Sequence, residues 1–277
     1  MPDHTKLLKT LTLGLGLAVL ASCSSNKYAV PNKVYKNQAK DFAKIIKATP
    51  PVGQLISTIS PEQQLWVGTV NFGIRKPNYV VLHHTAQSST EQTIKTFTLT
   101  RTKVSSHYVV GRDGQVVQMV NDYLRAQHAG LSKWGNDRDL NSSSIGIEID
   151  NNGSEPYSDV QIESVIKLLL ELKTRYGIPT ANFIGHADIA PTRKPDPNNF
   201  PWKKLAEKEL GLWYDEVLDV PPLDFNPELA LRIIGYDISK LPAAITAFKR
   251  HFVQTDITPV LTESDKAILF NLYKKYL

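Results

Sequence analysis

Short apolar runs rich in β-branched residues recur through the middle of the chain. They occupy residues 79–82, 145–149 and 183–185, and runs of this kind predict buried strands. Residues 107–110 and 115–120 flank a Gly-Arg-Asp-Gly sequence, which together predict a β-hairpin. Because a hairpin adds an antiparallel pair, the pattern indicates a mixed rather than a purely parallel sheet.

Helical periodicity separates these predicted strands. Residues 158–176 repeat their apolar positions every three to four residues, and Gly177 follows as a stop signal. Ser158 and Gln161 have the spacing of a capping box. A second helix is predicted over 89–99. Strands that alternate with helices predict an α/β domain with a central mixed β-sheet flanked by helices.

Three further helical patterns follow a Pro-Pro pair near the end of the chain. They occupy residues 227–234, 241–252 and 262–276. Their apolar residues could close one small core: Leu229, Ile233, Ile234, Ile245, Phe248, Phe252, Leu261, Ile268, Leu269 and Leu272. We therefore predict a small C-terminal three-helix domain over 221–277, after a main domain over 61–220.

The first residues have the anatomy of an export signal. Positive residues precede an apolar stretch at 11–20, which is too short to span a bilayer comfortably, and small residues follow it. The sequence Leu20-Ala21-Ser22-Cys23 resembles a bacterial lipobox. This resemblance implies a signal peptide over 1–22, removed before Cys23, and a lipid on the Cys23 sulfur. An ordinary secretory signal with an incidental cysteine is the alternative.

The segment after the cysteine predicts a polar, proline-punctuated tether over 23–60, with a short helix possible at 41–47. Ser24 rather than an acidic residue follows Cys23, and in Gram-negative lipoproteins this implies the outer membrane, with the protein facing the periplasm. Cys23 is the single cysteine, which excludes an intrachain disulfide and a cysteine-rich metal site.

The chain carries a formal net charge of +5, which suits an anionic partner such as the cell wall or an acidic membrane surface. It has no nucleic-acid-binding motif and no concentrated basic stripe, so we expect no nucleic-acid partner. We expect a monomer.

Two histidines and one aspartate stand at predicted strand ends or in the loop beyond them: His83, His186 and Asp196. Two imidazoles and a carboxylate, with one position left for water, make up the ligand set of a catalytic zinc site. The same set suits ferrous iron, which leaves a non-haem oxygenase open at this point. His84 competes with its neighbour, but adjacent strand residues point to opposite faces, so only one of the pair can serve.

Five segments of the chain occur in the order of one family. They are Leu82-His83-His84-Thr85-Ala86, Ser106-His107-Tyr108-Val109-Val110, His128-Ala129-Gly130, Ser144-Ile145-Gly146-Ile147-Glu148, and Gly185-His186 through Arg193-Lys194-Pro195-Asp196-Pro197. They resemble the N-acetylmuramoyl-L-alanine amidases of the type shared by AmpD, phage T7 lysozyme and the peptidoglycan recognition proteins. The lipobox and the C-terminal helices make lipoprotein amidases of the outer membrane the nearest resemblance.

This resemblance implies an enzyme that hydrolyses the amide bond between N-acetylmuramic acid and L-alanine of the stem peptide in cell-wall turnover. Its partners would be peptidoglycan and muropeptides. One Zn²⁺ per chain would be held by His83, His186 and Asp196. The resemblance gives Glu148 the role of general base and Lys194 that of oxyanion stabiliser.

The resemblance places His107 and His128 in the lining of the substrate pocket and reads His84 as a packing residue. The C-terminal helices resemble a peptidoglycan-binding module, and the alternative is an appendage that only packs on the main domain. A recognition protein that binds peptidoglycan without cutting it is the alternative class of function. Non-catalytic relatives typically lack the third ligand, so Asp196 favours the enzyme.

Overall fold

The computed structural model of this chain describes residues 26–47 and 73–277. The chain divides into two compact units, Met1–Val70 and Asn71–Leu277. The predicted signal peptide, Cys23 and the remainder of the predicted tether lie outside the described residues.

In the first unit a single helix, α1, spans Ala29–Lys47. The short helix predicted at 41–47 is therefore the end of a longer one. Pro31 does not prevent its formation because it lies in the first turn, where no intrahelical N–H donor is required. At helical periodicity one side of α1 carries its lysines, namely Lys33, Lys36, Lys40, Lys44 and Lys47, opposite a broader apolar side. Among the described helices, none is long and apolar enough to cross a membrane.

The second unit is built on a five-stranded sheet in the order β3-β2-β4-β1-β5. The strands are β1 Tyr79–His84, β2 Tyr108–Val110, β3 Val116–Gln118, β4 Ser144–Ile149 and β5 Phe183–Gly185. All neighbouring strands are parallel except β2 and β3, which form the predicted antiparallel hairpin at one edge. The expectation of a mixed central sheet flanked by helices is confirmed.

Helices cover the sheet and continue to the end of the chain. They are α2 Thr90–Phe97, α3 Leu140–Ser143, α4 Asp159–Tyr176, α5 His186–Ile189, α6 Trp202–Ala206, α7 Pro227–Ile234, α8 Leu241–Phe252 and α9 Glu263–Tyr276. The predicted helices at 227–234 and 241–252 have the observed bounds. The sequence did not reveal α3, α5 and α6, since each is too short to show helical periodicity.

The start of α4 differs from prediction in one respect. Ser158 accepts a hydrogen bond from the backbone of Gln161, as an N-cap should. The Gln161 side chain does not return to Ser158, because it donates to the carbonyl oxygens of Asp150 at 2.9 Å and Val110 at 3.4 Å. The predicted capping box is therefore wrong here, and this glutamine ties the helix to the carboxyl ends of β2 and β4 instead.

The two faces of the sheet pack against different helices. Val80 and Leu82 of β1 belong to an apolar cluster with α4, whereas Val81 points the other way and joins a cluster with α7, α8 and α9. Alternation along a strand explains this division. The C-terminal helices thus complete the core on the second face of the sheet, where their buried residues form one cluster with Val81 of β1 and Ile184 of β5.

The predicted core of the C-terminal helices is largely present, with Phe248, Leu269 and Leu272 fully buried. The assignment of Leu229 was wrong, since this side chain is 47% exposed. Leu231 of the same helix is fully buried instead. An eight-residue helix offers about two turns, so its sequence alone leaves the orientation of the apolar side poorly defined.

These two leucines supply a matched test of the packing. We expect Leu231→Ala to lower the free energy of unfolding by about 2–5 kcal/mol, the range for emptying a buried leucine site. Leu229→Ala in the same helix should cost about 1 kcal/mol or less. Urea denaturation of both variants measures the difference. Equal losses would show that α7 does not bury the side identified here.

Candidate metal centre and active site

Strand pairing determines which side chains meet at the carboxyl ends of the strands. In the parallel pair β1–β4, His83 lies directly opposite Glu148. Opposite residues on neighbouring strands point to the same face, so both side chains project from the face that also carries Val81 and Gly146. Ile147 and Ile149 project to the other face and pack with α4. Glu148 is therefore the one acidic position on an otherwise apolar strand.

The remaining candidate ligands come from the segment after β5. His186 follows that strand at the start of α5, and Asp196 lies in the loop beyond. The backbone N–H of Ala187 donates to the Asp196 carbonyl oxygen at 2.7 Å, which joins the two segments. The structure thus brings all three predicted ligands together, and all three are buried.

Three potential ligand atoms converge within this cluster. His83 Nδ1 lies 2.9 Å from His186 Nδ1 and 3.2 Å from Asp196 Oδ2, and His186 Nδ1 lies 3.0 Å from the same oxygen. Zinc bonds of about 2.0–2.2 Å in a tetrahedron separate ligand atoms by roughly 3.3–3.5 Å, so only a slight expansion would accommodate the ion.

The hydrogen bonds behind His186 determine its tautomer. Its Nε2 lies 3.0 Å from the Ala129 carbonyl oxygen, which can only accept. The proton is therefore on Nε2, and Nδ1 carries a lone pair directed into the cluster. An outer acceptor of this kind is the usual partner of a metal-binding histidine.

A longer chain of hydrogen bonds does the same for His83. The Ser144 hydroxyl donates to the Leu140 carbonyl oxygen, so Ser144 Oγ accepts from His128 Nε2 at 3.2 Å. His128 Nδ1 then accepts from His83 Nε2 at 3.1 Å. Because the chain ends on a carbonyl, its direction is fixed, and the lone pair of His83 Nδ1 is left for the cluster.

The electrostatics of the cluster agree with this assignment. Burial, reinforced by the neighbouring His186 ring, lowers the pKa of His83 to about 4, so its imidazole is neutral at physiological pH. Two imidazole lone pairs and one carboxylate oxygen at such close range repel one another unless a cation lies between them. The donor set therefore fits a divalent metal ion.

Glu148 lies beside this cluster without a partner of its own. Among the described residues its buried Oε2 has no hydrogen-bond donor. Burial and the charge of Asp196 raise the pKa of Glu148 to about 8, although Lys194 acts in the opposite direction. Glu148 as a whole is half-buried, but a carboxylate oxygen that is buried without a hydrogen bond is costly to the fold, which is typical of a group kept for chemistry.

Lys194 is half-buried in the turn after α5, where its backbone N–H donates to the Ala190 carbonyl oxygen at 3.0 Å. Its positive charge lowers the pKa values of both His83 and Glu148, which places its side chain within electrostatic range of the cluster. The ammonium group forms no hydrogen bond or ion pair with any residue that the structure describes.

His107 and His128 were predicted to line the substrate pocket, but the structure uses their ring nitrogens in hydrogen bonds within the protein. The fully buried His107 accepts the Gly146 N–H through Nδ1 at 3.0 Å and donates from Nε2 to the Leu124 carbonyl oxygen at 3.1 Å. Both nitrogens of His128 are likewise engaged, with His83 and Ser144. Neither ring has a nitrogen left for a substrate, and His128 instead supports the candidate ligand His83 from behind.

His84 occupies the opposite face of β1, where its Nδ1 accepts the Asn198 N–H at 3.0 Å.

Sequence reasoning missed Gly146, which makes room for His128: a Cβ atom there would lie 2.3 Å from His128 Cγ. A glycine inside an apolar strand is a signal for such a close approach.

A groove of about 400 Å³ opens between the segments that follow Glu148 and Asp196. Residues 154–157 line one side and residues of the stretch 199–204 line the other. Its walls therefore belong to the same two loops that leave the cluster.

With this geometry established, we compared the chain with known proteins. The sequence profile of the family described as N-acetylmuramoyl-L-alanine amidase matches residues 74–199, which include the cluster, Glu148 and Lys194. The amidase AmiD of Escherichia coli is 33% identical over 230 residues, which cover 71% of this chain and 82% of AmiD. The 1,6-anhydro-N-acetylmuramyl-L-alanine amidase AmpD of Enterobacter cloacae is 40% identical over 103 residues, 37% of this chain and 55% of AmpD.

Solved structures agree with the sequences. E. coli AmiD, in complex with the substrate anhydro-N-acetylmuramic acid-L-Ala-D-γ-Glu-L-Lys, matches with a TM-score of 0.66 and 29% identity, covering 76% of this chain and 93% of that one. AmpDh3 of Pseudomonas aeruginosa matches with a TM-score of 0.66 and 28% identity, covering 80% and 99%. The chain therefore belongs to the N-acetylmuramoyl-L-alanine amidases, enzymes that cut the bond between muramic acid and L-alanine in peptidoglycan.

Proposed function

We propose that this amidase works with one Zn²⁺ held by His83 Nδ1, His186 Nδ1 and a carboxylate oxygen of Asp196. The observation that supports this most directly is the convergence of two imidazole lone pairs and one carboxylate oxygen beside Glu148, whose buried Oε2 has no hydrogen-bond donor among the described residues. Three protein ligands leave a fourth position for water or substrate, as hydrolysis requires.

When bound, zinc lowers the pKa of a water molecule and polarises the scissile carbonyl. Glu148 acts as the general base: Oε2 accepts a proton from the attacking water and then delivers it to the L-alanine nitrogen as the C–N bond breaks. The stem peptide leaves as a neutral amine, and the lactyl group of muramic acid becomes a carboxylic acid. The positive charge of Lys194, together with that of a bound zinc ion, would favour the ionised form of Glu148 that this role needs.

Lys194 would stabilise the oxyanion that develops on the carbonyl oxygen during attack. It lies two residues before Asp196, and its charge acts on both His83 and Glu148. A positioned cation contributes most when charge appears in the transition state rather than in the bound substrate.

We further propose that the enzyme is a lipoprotein of the outer membrane, anchored through Cys23 and facing the periplasm. The lipobox-like sequence before Cys23 supports this, and the lysine side of α1 suits an anionic membrane or wall surface. In this proposal residues 221–277 add affinity for peptidoglycan as well as completing the core.

Adjacent histidines test the zinc site and the reaction together. We expect wild-type enzyme with one bound zinc to release stem peptides with a free L-alanine amine from purified sacculi. His83→Ala should abolish this release and weaken zinc binding by more than about 100-fold, beyond the usual effect of losing an outer partner. His84→Ala, one residue away on the opposite face, should lose far less of both, because it removes no ligand and only the hydrogen bond from the Asn198 N–H. Zinc analysis and mass spectrometry of the products decide, and a His83→Ala protein that retains zinc and turnover would refute the site.

Glu148→Gln separates chemistry from metal binding, because it keeps the side-chain shape but cannot accept a proton. We expect zinc to be retained and kcat to fall by about 10²–10⁴-fold, with a smaller change in KM. The carboxylate form exists above the pKa of Glu148, so wild-type kcat/KM should fall as pH drops through that pKa, which burial raises and which Lys194 and a bound cation lower. The Glu148→Gln variant should not show this decrease in kcat/KM at low pH. A near-normal kcat, or the same decrease at low pH, would contradict the general-base role.

Cys23→Ala tests the anchor. Without the sulfur that carries the lipid, the protein should leave the membrane fraction while the purified variant keeps full activity on a soluble muropeptide. Immunoblots of separated membrane and periplasmic fractions measure the distribution. Tight membrane association of the variant would rule out lipid anchoring as the means of attachment.

A further inference from the structure

Two consecutive residues of the C-terminal helix α8 contact the two segments that carry the proposed ligands. His251 Nδ1 donates to Asp188 Oδ2 at 2.8 Å, and Arg250 donates to Asn198 Oδ1 at 2.6 Å. Asp188 lies two residues beyond His186, and Asn198 lies two residues beyond Asp196. A single turn of α8 therefore contacts both the segment that carries His186 and the segment that carries Asp196.

Asp188 is a buried carboxylate that depends on these contacts. Oδ2 accepts the Gly185 N–H at 2.7 Å as well as His251, and Oδ1 accepts the Tyr236 hydroxyl at 2.8 Å. The bond to Gly185 closes the first turn of α5, in which His186 lies. Two of the three donors come from the C-terminal region. Without them, Asp188 would lose most of the hydrogen bonds that offset the cost of burying its carboxylate.

The surrounding packing leaves this contact little freedom. The His251 ring stacks between Trp202 and Phe252, with centroid distances of 3.9 and 4.1 Å. At Gly185 a Cβ atom would lie 3.1 Å from both Trp202 and Pro197, so the strand end that precedes His186 is closely covered. A displacement of α8 would therefore be transmitted through Asp188 to the candidate ligand His186.

Asn198 connects the loop that carries Asp196 to its neighbours in a similar way. Its backbone N–H donates to His84 Nδ1, and its side-chain amide donates to the Gly153 carbonyl oxygen at 3.0 Å. Arg250 completes the set by binding the amide oxygen. The loop that carries Asp196 is thereby fixed to β1, to the segment after β4 and to α8.

We propose that Arg250 and His251 are positioning residues for the metal centre, which hold His186 and Asp196 in place through Asp188 and Asn198. The C-terminal helices would then be part of the device that builds the active site, in addition to any affinity for the wall. This inference rests on the zinc amidase function proposed above.

The test compares two substitutions of His251 in the full-length chain. His251→Leu removes the donor, and we expect zinc affinity to fall by about 10–100-fold, as for other outer partners of metal ligands. The kcat on a soluble muropeptide should fall with it, with little change in KM. His251→Asn offers an amide N–H in nearly the same position as Nδ1, so it should recover affinity to within a few-fold of wild type. Competition with a chromophoric chelator measures affinity.

Two further variants separate positioning from general destabilisation. Leu272→Ala opens the C-terminal core without touching Asp188, so it should lower Tm and leave zinc affinity unchanged. Tyr236→Phe removes only one hydroxyl donor from Asp188 and provides the test should His251→Leu not fold; it should weaken zinc binding without loss of structure.

Wild-type zinc affinity in folded His251→Leu or Tyr236→Phe would overturn the inference, as would an equal loss in Leu272→Ala. If the wild-type enzyme binds zinc and cuts muropeptides, and His251→Leu and Tyr236→Phe have the same zinc affinity, only the positioning role is refuted. A wild-type chain without zinc would overturn the proposed zinc function as well.

Discussion

The parallel pairing of β1 with β4 is the constraint on which the rest of the site depends. This register sets His83 opposite Glu148, so a candidate ligand and a candidate base project from the same face at the same level. A slip of one residue would turn Glu148 toward the apolar cluster under α4 and bring an isoleucine to the site. The register is held by burial, because Ile145, Ile147 and Ile149 all have to reach that cluster. The chemistry of one face is thus fixed by the hydrophobic packing of the other.

The candidate ligand histidines are oriented by groups on the side of each ring that faces away from the cluster. Each imidazole presents Nδ1 because its Nε2 proton is committed elsewhere, to Ala129 in one case and to the chain through His128 in the other. Both chains end on backbone carbonyls, which cannot change protonation, so the tautomers stay defined. Gly146 is part of the same arrangement, since the space its missing side chain leaves is filled by the His128 ring. The cluster that results presents only acceptors and carries the negative charge of Asp196, so a cation in its centre would stabilise it and couple metal binding to the folding of this region.

The sequence predicted the parts of this architecture that follow from local pattern. Apolar runs located β1, β4 and β5, and strand alternation separated His83 from His84. The roles of His107 and His128 were harder to predict, because they depend on which backbone carbonyls lie behind the rings, a relation between residues far apart in the chain. Leu229 was misassigned because a short helix does not define its own buried side, and Gln161 left its expected capping position for the strand ends of the folded domain. The contacts of Arg250 and His251 carried no recognisable sequence signal, since Asp188 and Asn198 read as ordinary loop polar residues until the fold joins them to α8.

The central claim is that a zinc ion binds between these three residues while Glu148 stays uncoordinated beside it. An anomalous difference map from a zinc-loaded crystal, recorded on both sides of the zinc absorption edge, tests this most directly. We predict one strong peak per chain, bonded at about 2.0–2.2 Å to Nδ1 of His83, Nδ1 of His186 and a carboxylate oxygen of Asp196. A peak bonded to Glu148, coordination through Nε2 of either histidine, or no peak at the cluster would contradict it.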